Sequence, residues 1–243
     1  GLDHPLWLKV FDFRGREDAH VLLAEEADRV QVAGDLENGP LMRLALFHLD
    51  EGDRLLITVH HLVIDGVSWR ILSEDIETLL QQYNNKETLQ LPPKSDSFKV
   101  WAEKLTQYAD SPGFLEEISY WKELETATIE PFPADLEGSN NIEDADSVSF
   151  TLDAEASRHL ITDANVVFNT EINDILISAL GIGLQRVTGN KKLLLTVEGH
   201  GREEIVKDID VSRTVGWFTS DYPVVLNLSY EKDLSRQLVE VKE

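Results

Sequence analysis

The 243-residue chain carries 45 Asp and Glu against 22 Lys and Arg, a net charge of −23, and 42% of its residues are hydrophobic. A field of that sign repels polyanions, which excludes nucleic acid and anionic membrane as expected partners, while the apolar fraction supplies the core of one large domain or two lobes. The absence of cysteine removes disulfides, thiolate metal sites and cysteine nucleophiles together and fits a reducing compartment.

No apolar run approaches a membrane span and no signal peptide opens the chain, so the expected location is cytoplasmic. In chain order, residues 6–13 are apolar and aromatic and end in Arg14-Gly15, which predicts a strand. Leu22, Leu23, Ala27 and Val30 recur at helical spacing and predict a helix over 19–32. Asp35-Leu36-Glu37-Asn38-Gly39-Pro40 breaks it, and residues 41–49 form a second predicted strand. Glu51-Gly52-Asp53 then turns the chain back into Leu55–Val59, giving an antiparallel hairpin.

The end of that hairpin carries His60-His61-Leu62-Val63-Ile64-Asp65-Gly66-Val67-Ser68-Trp69. Period-two alternation puts Leu55, Ile57, Val59 and His61 on one face and sends His60 the other way. Asp65-Gly66 is a turn signal, and Trp69, Leu72, Ile76, Leu79, Leu80 and Tyr83 follow at the spacing of an amphipathic helix. Asp65 is expected to be structural, as the N-cap of that helix or as the partner of an arginine. A strand end is rigid while the loop beyond it can approach a substrate, so the histidine pair is the first candidate for chemistry. A Ser68, His61 and Asp65 triad is disfavoured, because Ser68 opens a helix and no nucleophile elbow is present.

Gln90-Leu91-Pro92-Pro93 stops the helix, and short helices are predicted over 97–108 and 114–124 with their aromatics in the core. Residues 126–146 turn polar and acidic, with Pro131, Pro133 and Gly138, and are the expected linker between a lobe at 1–125 and another at 147–243. The second lobe is predicted to open with a strand over 147–152 and a helix capped by Asp153. A buried helix over 172–187 follows, stopped by Gly189-Asn190. Residues 191–198 form a strand leading into a glycine-rich loop, 224–228 another, and 234–241 a helix.

Glu198 ends its strand on the face shared with Leu194 and Thr196. A carboxylate there either pairs with a cation such as Arg202 or has its pKa raised by desolvation. His200 lies between two glycines, but no further ligands stand at useful spacing, so no metal site is expected.

The string from His60 to Trp69 resembles the HHxxxDG signature of the condensation superfamily of nonribosomal peptide synthetases, and its Val-Ser-Trp ending resembles the epimerization branch. Glu198-Gly199-His200-Gly201-Arg202-Glu203 and residues 214–223, Thr-Val-Gly-Trp-Phe-Thr-Ser-Asp-Tyr-Pro, resemble the two later signatures of that branch. Asp35 to Leu41 and Tyr120-Trp121-Lys122-Glu123-Leu124 match weaker family segments. The resemblance covers nearly the whole chain, which lacks the family's opening motif and the last part of its second lobe. It is thus expected to be incomplete at both ends, with a question over its activity alone.

The resemblance implies an α/β fold like chloramphenicol acetyltransferase, with two lobes flanking a tunnel and the second lobe incomplete. It implies inversion of the α-carbon of an aminoacyl or peptidyl thioester, carried on the phosphopantetheine of a peptidyl carrier protein, with no cofactor bound by the domain itself. Neighbouring synthetase modules are the other implied partners. His61 and Glu198 are the implied catalytic pair, one for each face of the carbon. Glu198 then needs a raised pKa to return a proton, which its apolar strand would permit. His60, Asp65, Gly66, Ser68, Trp69, His200 and Arg202 support them, and Trp217, Phe218 and Tyr222 are candidates for the tunnel wall. Peptide-bond formation by a condensation domain, or carrier docking without chemistry, are the alternatives.

Overall fold

Alternation organises the first sheet. In β2 (Met42–Leu49), Arg43, Ala45, Phe47 and Leu49 are buried while the residues between them are partly or wholly exposed. β2 is central: β1 (Leu8–Asp12) pairs with it in parallel, and β3 (Gly52–Val59) pairs with it antiparallel. Parallel neighbours need a crossover, and α1 (Ala19–Val32) supplies it. Its buried Val30 meets Ala45 and Phe47, with Trp7, Phe11, Phe13, Leu23, Ala27 and Leu56 packed around them. The Phe11 and Phe47 rings stack at 5.2 Å between centroids.

Two further helices, α2 (Gly66–Asn84) and α3 (Phe98–Ala109), are each started by a side chain that accepts a first-turn N–H, from Asp65 and Ser97 respectively. The computed structural model describes residues 6–133, 138, 139, 141–228 and 233–242. The chain divides into two compact units, the first made of Gly1–Ser111 and Gly199–Ser220 and the second of Pro112–Glu198 and Asp221–Glu243. The glycine-rich segment that sequence alone groups with the second lobe therefore belongs to the first unit. The expected linker at 126–146 lies wholly inside the second unit; its residues 134–137 and 140 lie outside the described residues.

The second unit holds the short helices α4 (Pro112–Glu116), α5 (Ile118–Thr126), α6 (Ala154–Arg158) and α7 (Asn165–Phe168), the longer α8 (Ile172–Thr188), the strands β4 (Lys192–Gly199) and β5 (Ser220–Asn227), and α9 (Leu234–Lys242). β4 and β5 pair in a two-stranded sheet. Leu193, Leu226 and Leu228 form its core, with Ile177 and Leu184 of α8 against them. Gln185 donates to the Leu228 carbonyl at 2.6 Å, so the end of β5 is tied to the helix by a polar contact as well.

Two sequence expectations are corrected here. Residues 147–152 form no strand: Val148 is 98% and Phe150 86% exposed, and among the described residues no neighbouring strand takes up their backbone groups. Alternating apolar residues make a strand only where a ladder partner exists. The helix over 172–187 is not buried all round either. Ser178, Gly181 and Gln185 line its inner face, whereas Leu176, Leu180 and Val187 are exposed. Among the described residues no single helix is long and apolar enough to cross a membrane.

Gly181 lets α8 approach the sheet, because a Cβ there would lie 2.9 Å from Leu228 Cδ2 and 3.1 Å from Leu226 Cδ1. Both leucines are fully buried and have little room to give. Gly181→Val is expected to lower stability by about 1–3 kcal/mol through overpacking. Urea denaturation checks it; an unchanged midpoint would place the helix elsewhere.

Candidate active site

The site grows from the end of the β2–β3 hairpin. The His60 N–H still bonds to the Leu41 carbonyl, at 2.8 Å, but the regular strand stops at Val59 and His61–Val63 coil into a 3₁₀ turn. His61 therefore leaves the sheet and does not share a face with Leu55, Ile57 and Val59, as uninterrupted alternation would have it. Its ring is exposed and meets Trp217 edge-on, with 5.9 Å between centroids. His60 Nδ1 accepts the Leu62 N–H at 3.2 Å and so closes the turn.

Asp65, 2% exposed, ends that turn and caps α2 by accepting the Ser68 N–H at 2.7 Å. Its carboxylate also accepts from Arg202 Nη2 at 3.0 and 3.1 Å and from the Phe218 N–H at 3.1 Å. Ser68 is fully buried, and its hydroxyl donates to the Gly216 carbonyl while accepting from the Gly216 N–H and from Arg202 Nη2. Arg202 Nη1 donates to the carbonyls of Val211 and Thr214, both at 2.8 Å. The guanidinium lies 3.9 Å over the Phe218 ring. A buried charge pair is tolerable only when its remaining polar atoms are satisfied, and here nearly all are.

Glycines make this closeness possible at two points. A Cβ on Gly201, whose φ is +66°, would lie 1.7 Å from the Phe218 carbonyl oxygen, and one on Gly216 would lie 2.5 Å from Phe98. Phe218 then packs edge to face against both Phe98 and Trp101, at 5.0 and 4.8 Å between centroids. At the far side of the loop, Thr214 Oγ1 donates to the Asp96 carbonyl at 2.5 Å, and Arg213 pairs with Asp75. Sequence reasoning missed Ser95, Asp96, Asp75 and Arg213 as anchors. Their only sequence signal is that Ser95-Asp96 follows a proline stop and so holds an extended conformation that can pair with another segment.

With this geometry in hand, the comparison with known proteins is direct. Residues 3–243 match the Condensation domain model. The chain belongs to the condensation-domain family. It is 42% identical to gramicidin S synthase 1 of Brevibacillus brevis over 246 residues, covering all of this chain and 22% of that protein. It is also 42% identical to bacitracin synthase 3 of Bacillus licheniformis over 237 residues, covering 97% of this chain and 4% of that one. Among solved structures, the epimerization domain from the third module of tyrocidine synthetase B superposes with a TM-score of 0.89 at 38% identity, covering the whole of this chain and 56% of that chain. The first condensation domain of the CDA synthetase superposes at 0.68 with 22% identity, covering 98% of this chain and 52% of that chain, a likeness of fold alone. The fold is thus the chloramphenicol acetyltransferase-like α/β fold, and the chain spans about half of the solved chains it resembles.

The remaining candidates fall in different places. Trp69 and Gly66 belong to the first turn of α2. His200 Nδ1 accepts the Arg202 N–H at 3.0 Å and so shapes the loop that presents that arginine. Phe218, expected at a tunnel wall, is 2% exposed and packs beneath Arg202; Trp217 is the exposed aromatic of the pair. Glu198 and Tyr222 belong to the second unit, on β4 and β5. Glu198 is exposed together with Leu194 and Thr196, while Leu193, Leu195 and Val197 turn inward. The burial its apolar strand seemed to offer is therefore on the other face, and Arg202 is committed to Asp65.

Burial opposes ionisation of Asp65, but the hydrogen bonds from Ser68 and Phe218 and the charge of Arg202 outweigh it, and its pKa lies below the ordinary carboxylate value. A folded-state pKa below the unfolded one contributes stability above the unfolded value, lost as pH falls through the folded value. Asp65→Asn is expected to cost about 3–5 kcal/mol at neutral pH, since Arg202 is left without a counter-charge. The difference should shrink as pH falls below about 4, where the carboxyl of the unfolded chain takes up its proton before the native one does. Urea denaturation at pH 7 and at pH 3 measures both.

Proposed function

We propose that this chain inverts the α-carbon of an aminoacyl or peptidyl thioester carried on the phosphopantetheine of a peptidyl carrier protein. One observation carries the reading. Arg202 and Gly216, from the two motifs that resemble the epimerization branch, fasten Asp65 and Ser68 and so fix the turn that presents His61. The likeness to an epimerization domain at 38% identity supports this reading.

A thioester α-proton is a weak acid, so its removal needs a base in hydrogen-bond reach and polar groups for the developing enolate oxygen. His61 is the base on one face. It takes the proton as the Cα–H bond breaks, the electron pair moves into the enolate, and a proton returned to the opposite face completes inversion. Glu198, protonated from solvent before the step, is the group for that second face: it gives its proton to the carbon as His61 takes one, and in the reverse direction the two exchange roles. Gly66, Ser68 and Trp69 hold the loop, while Trp217 flanks the imidazole. The domain itself needs no cofactor in this scheme, and the carrier protein and neighbouring synthetase modules are its partners.

The test is α-proton exchange from a carrier-bound aminoacyl thioester in deuterated water. Exchange is expected with this chain, with a loss of about 100-fold or more for His61→Ala, the size of a general-base contribution. Glu198→Gln should stop net inversion while leaving washout from one enantiomer. Unchanged exchange in His61→Ala would overturn the assignment, and consumption of an acceptor amine without exchange would identify condensation instead.

A further inference from the structure

Two histidines of the candidate site make the same local bond. The backbone N–H of Leu62 donates to His60 Nδ1 at 3.2 Å, and the backbone N–H of Arg202 donates to His200 Nδ1 at 3.0 Å, in each case from the residue two places along the chain. A backbone N–H can only donate, so both Nδ1 atoms accept and neither carries a proton. The proton of each neutral ring is therefore on Nε2. Both histidines are exposed, so solvent protons reach them freely.

These bonds close the two turns that meet at the Asp65 and Arg202 pair. His60 opens the 3₁₀ turn that carries His61 and leads to Asp65, and His200 opens the turn that presents Arg202 to that carboxylate. An imidazole that gains a second proton donates from both nitrogens, so its Nδ1–H then meets another N–H and the bond is lost. For His200 a replacement partner is in place, since Glu203 Oε1 lies 3.6 Å from the same Nδ1. The charged ring exchanges the Arg202 N–H for that carboxylate. Glu204 and Asp210 line the cavity that Arg202 and Glu203 border, and Asp35, Arg43 and His61 line the cavity beside His60.

We infer that His60 and His200 are positioning residues that hold the two turns of the candidate site only while each ring is neutral with its proton on Nε2. A bond made to the neutral ring is present at high pH and lost as pH falls, so the order of the site is coupled to pH between about 5 and 8, where imidazoles titrate. Asp65, whose carboxyl is held below the ordinary value, stays ionised through that range, and its pairing with Arg202 outlasts the turns on either side. The inference does not rest on the epimerase reading, because no substrate enters its test.

The experiment is nitrogen-resolved NMR of the whole chain at about pH 8 and about pH 5, the two ends of the imidazole range. At the higher pH, His60 and His200 are expected as Nε2–H tautomers, with a nitrogen–nitrogen coupling across each hydrogen bond to Leu62 and Arg202. At the lower pH both couplings should vanish, and the protection of the two amides against hydrogen exchange should fall about tenfold, the size of one net hydrogen bond. Asparagine places Oδ1 where histidine has Nδ1 and accepts the same N–H, as in an Asx turn, without titrating. His60→Asn and His200→Asn should therefore keep that protection at the lower pH, whereas His60→Ala and His200→Ala lose it at both. Glu203→Gln should let the Arg202 bond survive to lower pH than in the native chain and leave the Leu62 bond unaffected. A neutral ring protonated on Nδ1 at either position, or couplings that persist at the lower pH in the native chain, overturns the proposal. Tautomer and coupling are read on the native chain, so the decision stands even where a variant fails to fold.

Discussion

The structure depends on one buried ion pair. Asp65 is simultaneously the cap of a helix, the end of the histidine turn and the counter-charge of Arg202. Each role alone is common, but their concurrence at one carboxylate means that the turn cannot shift without exposing the arginine to an unpaired interior. The desolvation of both charges is large, and it is offset because backbone groups of Val211, Thr214 and Phe218 and the Ser68 hydroxyl complete the shell. Rigidity of the turn that presents His61 thus originates in residues that are more than a hundred positions away in the chain.

Local patterns in the sequence were sufficient where the forces are local. The hairpin was legible because its turn and the alternation of β2 agree, and α2 because Asp65-Gly66 and the leucine spacing point to the same boundary. The pairing of Arg202 was not legible: spacing offered Glu198, four residues away, as readily as Asp65, and only tertiary packing discriminates between them. His61 was assigned a sheet face on the assumption that the strand continued, whereas its Nδ1-bonded neighbour His60 starts a turn. Residues 147–152 carry a strand pattern without a strand, since pattern describes side chains and the ladder requires another backbone. Glu198 was expected to gain burial from its strand's composition, but the alternation of β4 places Leu193, Leu195 and Val197 inside and leaves it outside.

The acidic balance of the chain gives its buried cations particular weight. With a net charge of −23, the surface is dominated by carboxylates, and a positive group in the interior is visible to an anion only at short range, through a defined opening. Arg202 has its carboxylate built in, whereas Arg43 donates to the Gln31 carbonyl. The two arginines therefore represent two solutions to the same electrostatic problem, one met by a carboxylate and one by a backbone carbonyl.

The return of residues 199–220 to the first unit has a consequence for how the chain is made. Asp65 and Arg202 are 137 positions apart, so at a synthesis rate of about 5–20 residues per second the carboxylate waits roughly 7–27 s for its partner. During that interval the β1–β2–β3 sheet and α1 can already pack, while the turn bearing His61 has its helix cap and the local bonds of His60 to hold it. The first unit is consequently discontinuous in time as well as in sequence. Its sheet belongs to the early nascent chain, and its candidate active-site turn acquires its final order only after most of the second unit has been synthesised.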